Sequence, residues 1–307
     1  MRFHFHCFRA VWTLALPMLL CCLTVHAAEL DPAKILEASG AEAKKQPDGV
    51  VRIGWSRDDV PVVVDGMRLP PAAGLGSWAA FAPMGDQAMV MGDTVVFEDE
   101  VDAAMDAAFK VGLEVTGLHN HFFFDKPKVY FMHIGGRGEP MQLAGGVKAV
   151  WDAIKAVRKQ RPEPATAFGG PVPTPGKLDS EAIGKVIGHR AEVTGGVAKV
   201  TIGREGRMHG HRVGGSMGLT TWAAFTGSDQ LAAIDGDFIM TADEVQPVLR
   251  ALRQAGLHVV ALHNHMVGEQ PAFYFVHFWG KGQAAQLAQS FRSALDAQAR
   301  TAALAKP

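Results

Sequence analysis

The segment Leu118-His-Asn-His121 recurs as Leu262-His-Asn-His265, and a further histidine follows each copy at the same distance, His133 and His277. Every member of the second set lies 144 residues after its counterpart. Imidazole is the commonest side-chain metal ligand, so a three-histidine set used twice points to transition-metal binding. Nitrogen donors without thiolates suit a divalent transition metal, zinc or copper first, better than calcium or magnesium, which prefer oxygen. Sites with three protein ligands often leave a position open for water or substrate. The same histidines could instead sit at strand ends and hydrogen-bond to loop backbone.

The copies differ upstream. The second has His209-Gly-His211 where the first has Asp65-Gly-Met67. His209 and His211 could enlarge the second ligand set to four or five, and Asp65 could give the first a carboxylate, although the central glycine equally suits a turn. Glu100 and Glu244 are candidate general bases beside a metal-bound water. The capping-box form of Thr241-Ala-Asp-Glu244 accounts for Glu244, and the equivalent position for Glu100, without catalysis. Asp93 and Asp237, each following a glycine, read as turn residues first and ligands second, and Trp78 and Trp222 as core anchors.

Positioning these side chains requires two copies of one domain. Leu75–Ala144 lies over Leu219–Ala288 without a gap, with 28 identities in 70 positions. Within a copy the patterning predicts short strands at 50–53 and 62–64, or 197–202. A helix follows at 101–111, or 245–255, stopped by Gly112 or Gly256. Strands at 113–121 and 128–134, or 257–265 and 272–279, then form a hairpin, and a closing helix spans 142–159, or 283–299. Alternation along a strand puts His119 and His121 on one face with Val115 and Gly117, and His263 and His265 with Val259 and Ala261. A loop centred near Lys126 sets His119 opposite His133, and His263 opposite His277; a one-residue slip would send His133 to the other face. The expected fold is α+β: two tandem antiparallel-sheet domains with helices on one side, related by a pseudo-twofold axis. Residues 28–160 and 178–307 form the copies, and the proline- and glycine-rich stretch 161–177 links them.

Residues 1–27 read as a signal peptide, with a basic start at Arg2 and Arg9, an apolar run from Ala10 to Val25 and the cleavage pattern Val25-His-Ala27. Cys7, Cys21 and Cys22 all lie within it, so the mature chain has no disulfide, thiolate ligand or cysteine nucleophile. Loss of Arg2 and Arg9 leaves 28 basic and 31 acidic residues. That balance gives no basic patch for nucleic acid. The expected partners are a metal ion or small molecule, with no nucleotide cofactor and no integral membrane segment, in the periplasm or outside the cell.

The segments Gly76-Ser-Trp-Ala-Ala-Phe81, Met91-Gly-Asp93, Leu118-His-Asn-His121 and Phe131-Met-His133, with their second-copy versions, resemble the LppY/LpqO family of exported bacterial proteins, whose function is unknown. The resemblance covers nearly the whole mature chain and implies an envelope location and the duplicated architecture, but no activity. Named members are lipoproteins; here Leu20 precedes Cys21, where lipid processing wants a small residue. Relatives are also labelled LytM-type metallopeptidases, whose zinc site pairs a His-x-His with an earlier His-x-x-x-Asp. His121 to Asp125 has that spacing but overlaps the His-x-His, and the second copy reads His265 to Glu269. Three functions are therefore expected to compete: metal handling, sensing or resistance; a hydrolase using a histidine-bound water; and a non-metal ligand-binding or structural module.

Overall fold

The computed structural model describes Met1 and residues 29–304. The signal-peptide reading and the three cysteines fall on residues outside that description. In the first copy the chain runs through α1 (Pro32–Ser39), β1 (Ala43–Lys45), β2 (Val51–Ser56), the short strands β3 (Val63–Val64) and β4 (Met67–Arg68), β5 (Gly76–Met84) and β6 (Gln87–Phe97). It continues with α2 (Val101–Lys110), β7 (Glu114–His119), β8 (Asp125–Lys126), β9 (Val129–Gly138) and α3 (Pro140–Gln160). No helix or strand occupies 161–179. The second copy repeats the order: α4 (Ser180–Ile187), β10 (Glu192–Thr194), β11 (Val197–Gly203), β12 (Gly206–Met208), β13 (His211–Val213), β14 (Thr220–Gly227) and β15 (Ala232–Met240). It closes with α5 (Ala242–Gln254), β16 (His258–His263), β17 (Tyr274–Gly282) and α6 (Ala284–Leu304).

The paired helices follow from patterning. Val101, Ala104, Met105 and Ala108 are the buried positions of α2, and Val245, Val248, Leu249 and Leu252 are among those of α5, the same three-and-four spacing. Thr241 and Glu244 form the expected capping box on α5, and Gly112 and Gly256, at φ of 80° and 78°, supply the left-handed exit that lets each chain turn back into a strand.

Twelve strands form one continuous antiparallel sheet in the order β1-β2-β5-β6-β9-β7-β16-β17-β15-β14-β11-β10. Read from either end, that order visits equivalent strands. At its centre Leu118 pairs with Leu262, its own counterpart 144 residues on, so the pseudo-twofold axis passes between them. The helices cover one face, where Ala104, Val147, Trp151, Leu249 and Phe291 meet Val90, Leu118, Met132 and Leu262 in a single core. The opposite face carries the histidines and two small apolar clusters. In the first, Val62 and Leu69 flank β3 and β4 and pack against Phe97 and Phe131. Side chains also tie the copies: the amide of Gln246 on α5 donates to Val115 O at 2.8 Å and accepts from Val115 N at 3.1 Å. At the equivalent position of α2, Asp102 bonds His258 of β16.

The register departs from the expected hairpin. Val115 pairs with Ile134, but Gly117 pairs with His133 and His119 with Phe131, so β7 carries one extra residue at Thr116. The same bulge occurs at Val260, with Ala261 opposite His277 and His263 opposite Phe275. Val115 and Val259 therefore face the helix-side core, not the histidines. His133 lies two residues from its expected position opposite His119, and because two is the strand period it keeps its face.

Candidate metal centre

Four neighbouring strands build each cluster. On the histidine face the paired row in the first copy runs Trp78, Asp93, His133, Gly117, and in the second Trp222, Asp237, His277, Ala261. His119 and His263 lie one row further along. His121 and His265, just past the strand ends, lie flat on the rings of Phe131 and Phe275, with centroids 3.3 and 3.5 Å apart. The aromatic ring beneath each exposed histidine holds it over the cluster.

In the second copy Asp237, His263 and His265 each offer a ligand atom, all within 4.8 Å of one another. His265 Nε2 lies 3.1 Å from His263 Nε2 and 3.3 Å from Asp237 Oδ2. An ion about 2.0–2.1 Å from both nitrogens would see them at roughly 100°, within the range of four- to six-coordinate sites. Asp237 Oδ1 and His263 Nδ1 are buried with no hydrogen-bond partner. His277 stacks against His263 at 4.9 Å between centroids, and its Nδ1 is 3.2 Å from the carbonyl of Gly236, which fixes that nitrogen as the N–H donor and leaves Nε2 its lone pair.

Burial keeps the His263 and His265 imidazoles neutral, the form that ligates a metal. Burial, followed by the neighbouring His277 and His265, pushes His263 down to about 4, so its ring is neutral at pH 7. Burial also lowers His265, against the pull of Asp237. Burial raises Asp237, against the pull of His277 and His265.

The first copy assembles the same residue types differently. His119 Nε2 approaches His133 Nε2 to 2.9 Å, and His121 remains stacked on Phe131. Asp93 Oδ1 is buried without a partner, as its counterpart is. The residue under the third histidine differs: a Cβ at Gly117 would come 3.1 Å from His133 Cδ2, whereas Ala261 carries that methyl beneath His277. A methyl there would crowd a ring placed as His133 is. His277 Nδ1 faces the Gly236 carbonyl, and the close nitrogen pair is His263 with His265.

Several sequence-based expectations are corrected. His209 and Asp65 occupy exposed turns at φ of 51° and 49°, each followed by a positive-φ glycine, so these motifs are hairpin turns with two left-handed residues. Among the described residues, the set of ligand atoms converging within 4.8 Å includes neither Asp65, His209 nor the exposed His211. Glu244 completes its capping box and receives Arg204 Nη2 at 2.8 Å. Glu100 reaches back in the same way to Phe97 N and is buried in a two-point pair with Arg57. Both acids are structural. So are Asp125 and Glu269, which accept from the backbone N–H groups of Val129 and Phe273. Trp78 and Trp222 are half-buried on the histidine face under Arg52 and Lys199, not anchors of the helix-side core. Sequence reasoning undervalued Asp93 and Asp237. A Gly-Asp pair resembles a turn, and only the four-strand register shows each aspartate opposite a cluster histidine.

The chain belongs to the family described as Domain of Unknown Function (DUF1259), whose model matches residues 33–153 and again 181–297. No curated protein matches it. Among solved structures it is similar to a trimeric bacterial microcompartment shell protein, PduB, at 9% identity over 86% of this chain and 93% of that one, with a TM-score of 0.20. It is also similar to EtuB from Clostridium kluyveri, at 11% identity over 84% and 90% of the two chains, with a TM-score of 0.22. At these scores the likeness bears on neither fold nor function. No helix among the described residues is long and apolar enough to cross a membrane.

Proposed function

We propose that the protein is an exported metal-handling protein that holds one divalent transition-metal ion, zinc or copper, through Asp237, His263 and His265, with His277 beside the set. The observation that carries this reading is the convergence of one carboxylate and two imidazoles within 4.8 Å on one sheet face. The unpartnered Asp237 Oδ1 supports it, because a buried polar atom left without a partner costs about 1–3 kcal/mol, which an ion bound by that carboxylate would offset. The signal-peptide pattern and the resemblance to exported envelope proteins support a periplasmic setting, where the protein would serve metal capture, sensing or resistance.

The hydrolase reading has less support. It needs a free acid or base beside a metal-bound water, and Glu244 is bound by Arg204 and its own helix cap, while Asp65 and His209 sit at exposed turns. A non-metal module would melt at the same temperature with or without chelator and added metal. The deciding experiment uses untagged, metal-free protein: zinc or cobalt uptake should reach one equivalent per chain and raise the melting temperature. Replacing both His263 and His265 by alanine should abolish it. Unchanged uptake in that variant would overturn the reading.

A further inference from the structure

A cleft of about 600 Å³ lies beside the pseudo-twofold junction and draws its lining from both copies. Gly117, His119 and His133 come from the first copy; His263 and a loop extending through Ala272 to Tyr274 come from the second. The loops explain why space opens here. The first copy carries Phe122, which packs edge-on against Phe131 and His121. The second has Met266-Val-Gly268 in the place of Phe122-Phe-Phe124.

The chemistry of the lining selects a ligand. His263 belongs to both the cleft and the Asp237–His263–His265 set, so a divalent ion held there would bring its charge to the cleft wall, and Asp237 cancels only part of it. Across the cleft stand the exposed Thr116 and the His119 and His133 imidazoles, whose Nε2 atoms share one N–H at 2.9 Å that a stronger acceptor could take. The carboxylate in the lining, Glu269, is buried and already accepts from Phe273 N at 2.8 Å, so it is not free to repel an anion or claim the metal. A positive wall faced by hydrogen-bond donors, with its acid already engaged, suits an anion.

We infer that this cleft binds a small oxyanion, a carboxylate or phosphate group, which ligates the ion held at His263 and accepts the N–H that His119 and His133 otherwise share between their Nε2 atoms. The inference rests on the metal reading above. It gives the duplication a function, because one copy supplies the metal ligands and the other the donors that face them.

The test uses the full, untagged chain loaded with one equivalent of cobalt(II), titrated with sodium acetate and, in a second arm, with sodium sulfate as a phosphate-like oxyanion, and read by the cobalt visible spectrum. Acetate or sulfate should shift the spectrum saturably. His133→Ala should weaken that titration by about tenfold, the effect of losing one hydrogen bond to the anion, with cobalt uptake unchanged. Ala272→Trp, at an exposed lining position, should do the same by filling the cleft. A saturable shift with acetate alone would assign the carboxylate arm, and with sulfate alone the phosphate-like one. If cobalt binds but neither anion alters its spectrum, or if both variants titrate like the parent, the oxyanion site is overturned while the metal site stands. If no cobalt binds, the metal reading falls and this inference falls with it.

Discussion

The two copies carry the same three histidines and the same aspartate, on the same strands and in the same register, yet they bring different nitrogens together. In the first copy the close pair is His119 and His133; in the second it is His263 and His265, and only there, among the described residues, do a carboxylate and two imidazoles converge within 4.8 Å. The difference lies beneath and around the ligands: a methyl at Ala261 where Gly117 has none, and Met266 where Phe122 fills the neighbouring space. Ligand identity sets which metals can bind, while the packing below decides whether the ligands meet.

Charge burial offers a second contrast. Arg57 and Glu100 are fully buried and joined by two hydrogen bonds, with Arg158 also against Glu100. The equivalent Arg204 is about a quarter exposed. The largest expected effect is therefore Arg57→Ala, which takes two hydrogen bonds from the buried Glu100, leaves it Arg158 as its remaining cation and should cost about 3 kcal/mol in chemical denaturation. Arg204→Ala should cost less, about 1–2 kcal/mol, because water can reach the carboxylate left behind. Equal losses would erase this contrast.

Metal binding separates the copies next. Asp237→Ala should weaken zinc affinity by at least about 10–100-fold in competition with a chromophoric chelator, since loss of an outer-shell partner alone costs that much. Were Asp93→Ala to cause the greater loss, the site would belong to the first copy.

The third contrast is in pH dependence. An unfolded His263 takes up its proton near the ordinary 6.5 and the folded one only near 4. Between those values the unfolded chain binds more protons, so stability from this group is complete above about pH 6.5 and is lost as pH falls toward 4. The raised Asp237 carboxyl has the opposite sign, since its protonation favours the folded chain, and it offsets part of the loss at the acid end. Metal-free protein should show a lower denaturation midpoint at pH 5 than at pH 7, and His263→Gln should flatten that slope. An unaltered slope would remove His263 as its source.

The smallest effect should come from exchanging the residues beneath the third histidines. Gly117→Ala forces His133 to shift by a few tenths of an ångström and should cost no more than about 1 kcal/mol. Two-dimensional NMR of the imidazoles should then show the first copy adopting the ring arrangement of the second. No change in the His133 signals would show that the methyl does not set the arrangement.

Much of this was legible in the residues. The 144-residue offset announced the duplication, the three-and-four spacing gave the paired helices, and the period of two kept all three histidines of a copy on one face. The bulges at Thr116 and Val260 were not legible, since nothing in Val115-Thr-Gly117 distinguishes an extra residue from ordinary alternation. Nor was the role of Asp93 and Asp237, which depends on pairings across four strands that are distant in sequence. The short helices α1 and α4 escaped because eight residues give little periodic signal. The fusion of two sheets into one rests on a single matched pair, Leu118 and Leu262.

That pair has a consequence for the protein's origin and for any attempt to divide it. Cut at the 161–177 segment, either half would present β7 or β16 as a bare sheet edge, with unsatisfied backbone groups next to its histidines. Two identical halves could satisfy each other through that edge, the same surface on both, which is the arrangement of a twofold homodimer. The single chain thus covalently joins what a shorter ancestor could have assembled from two subunits, and its joined form lets the two sides of the seam diverge.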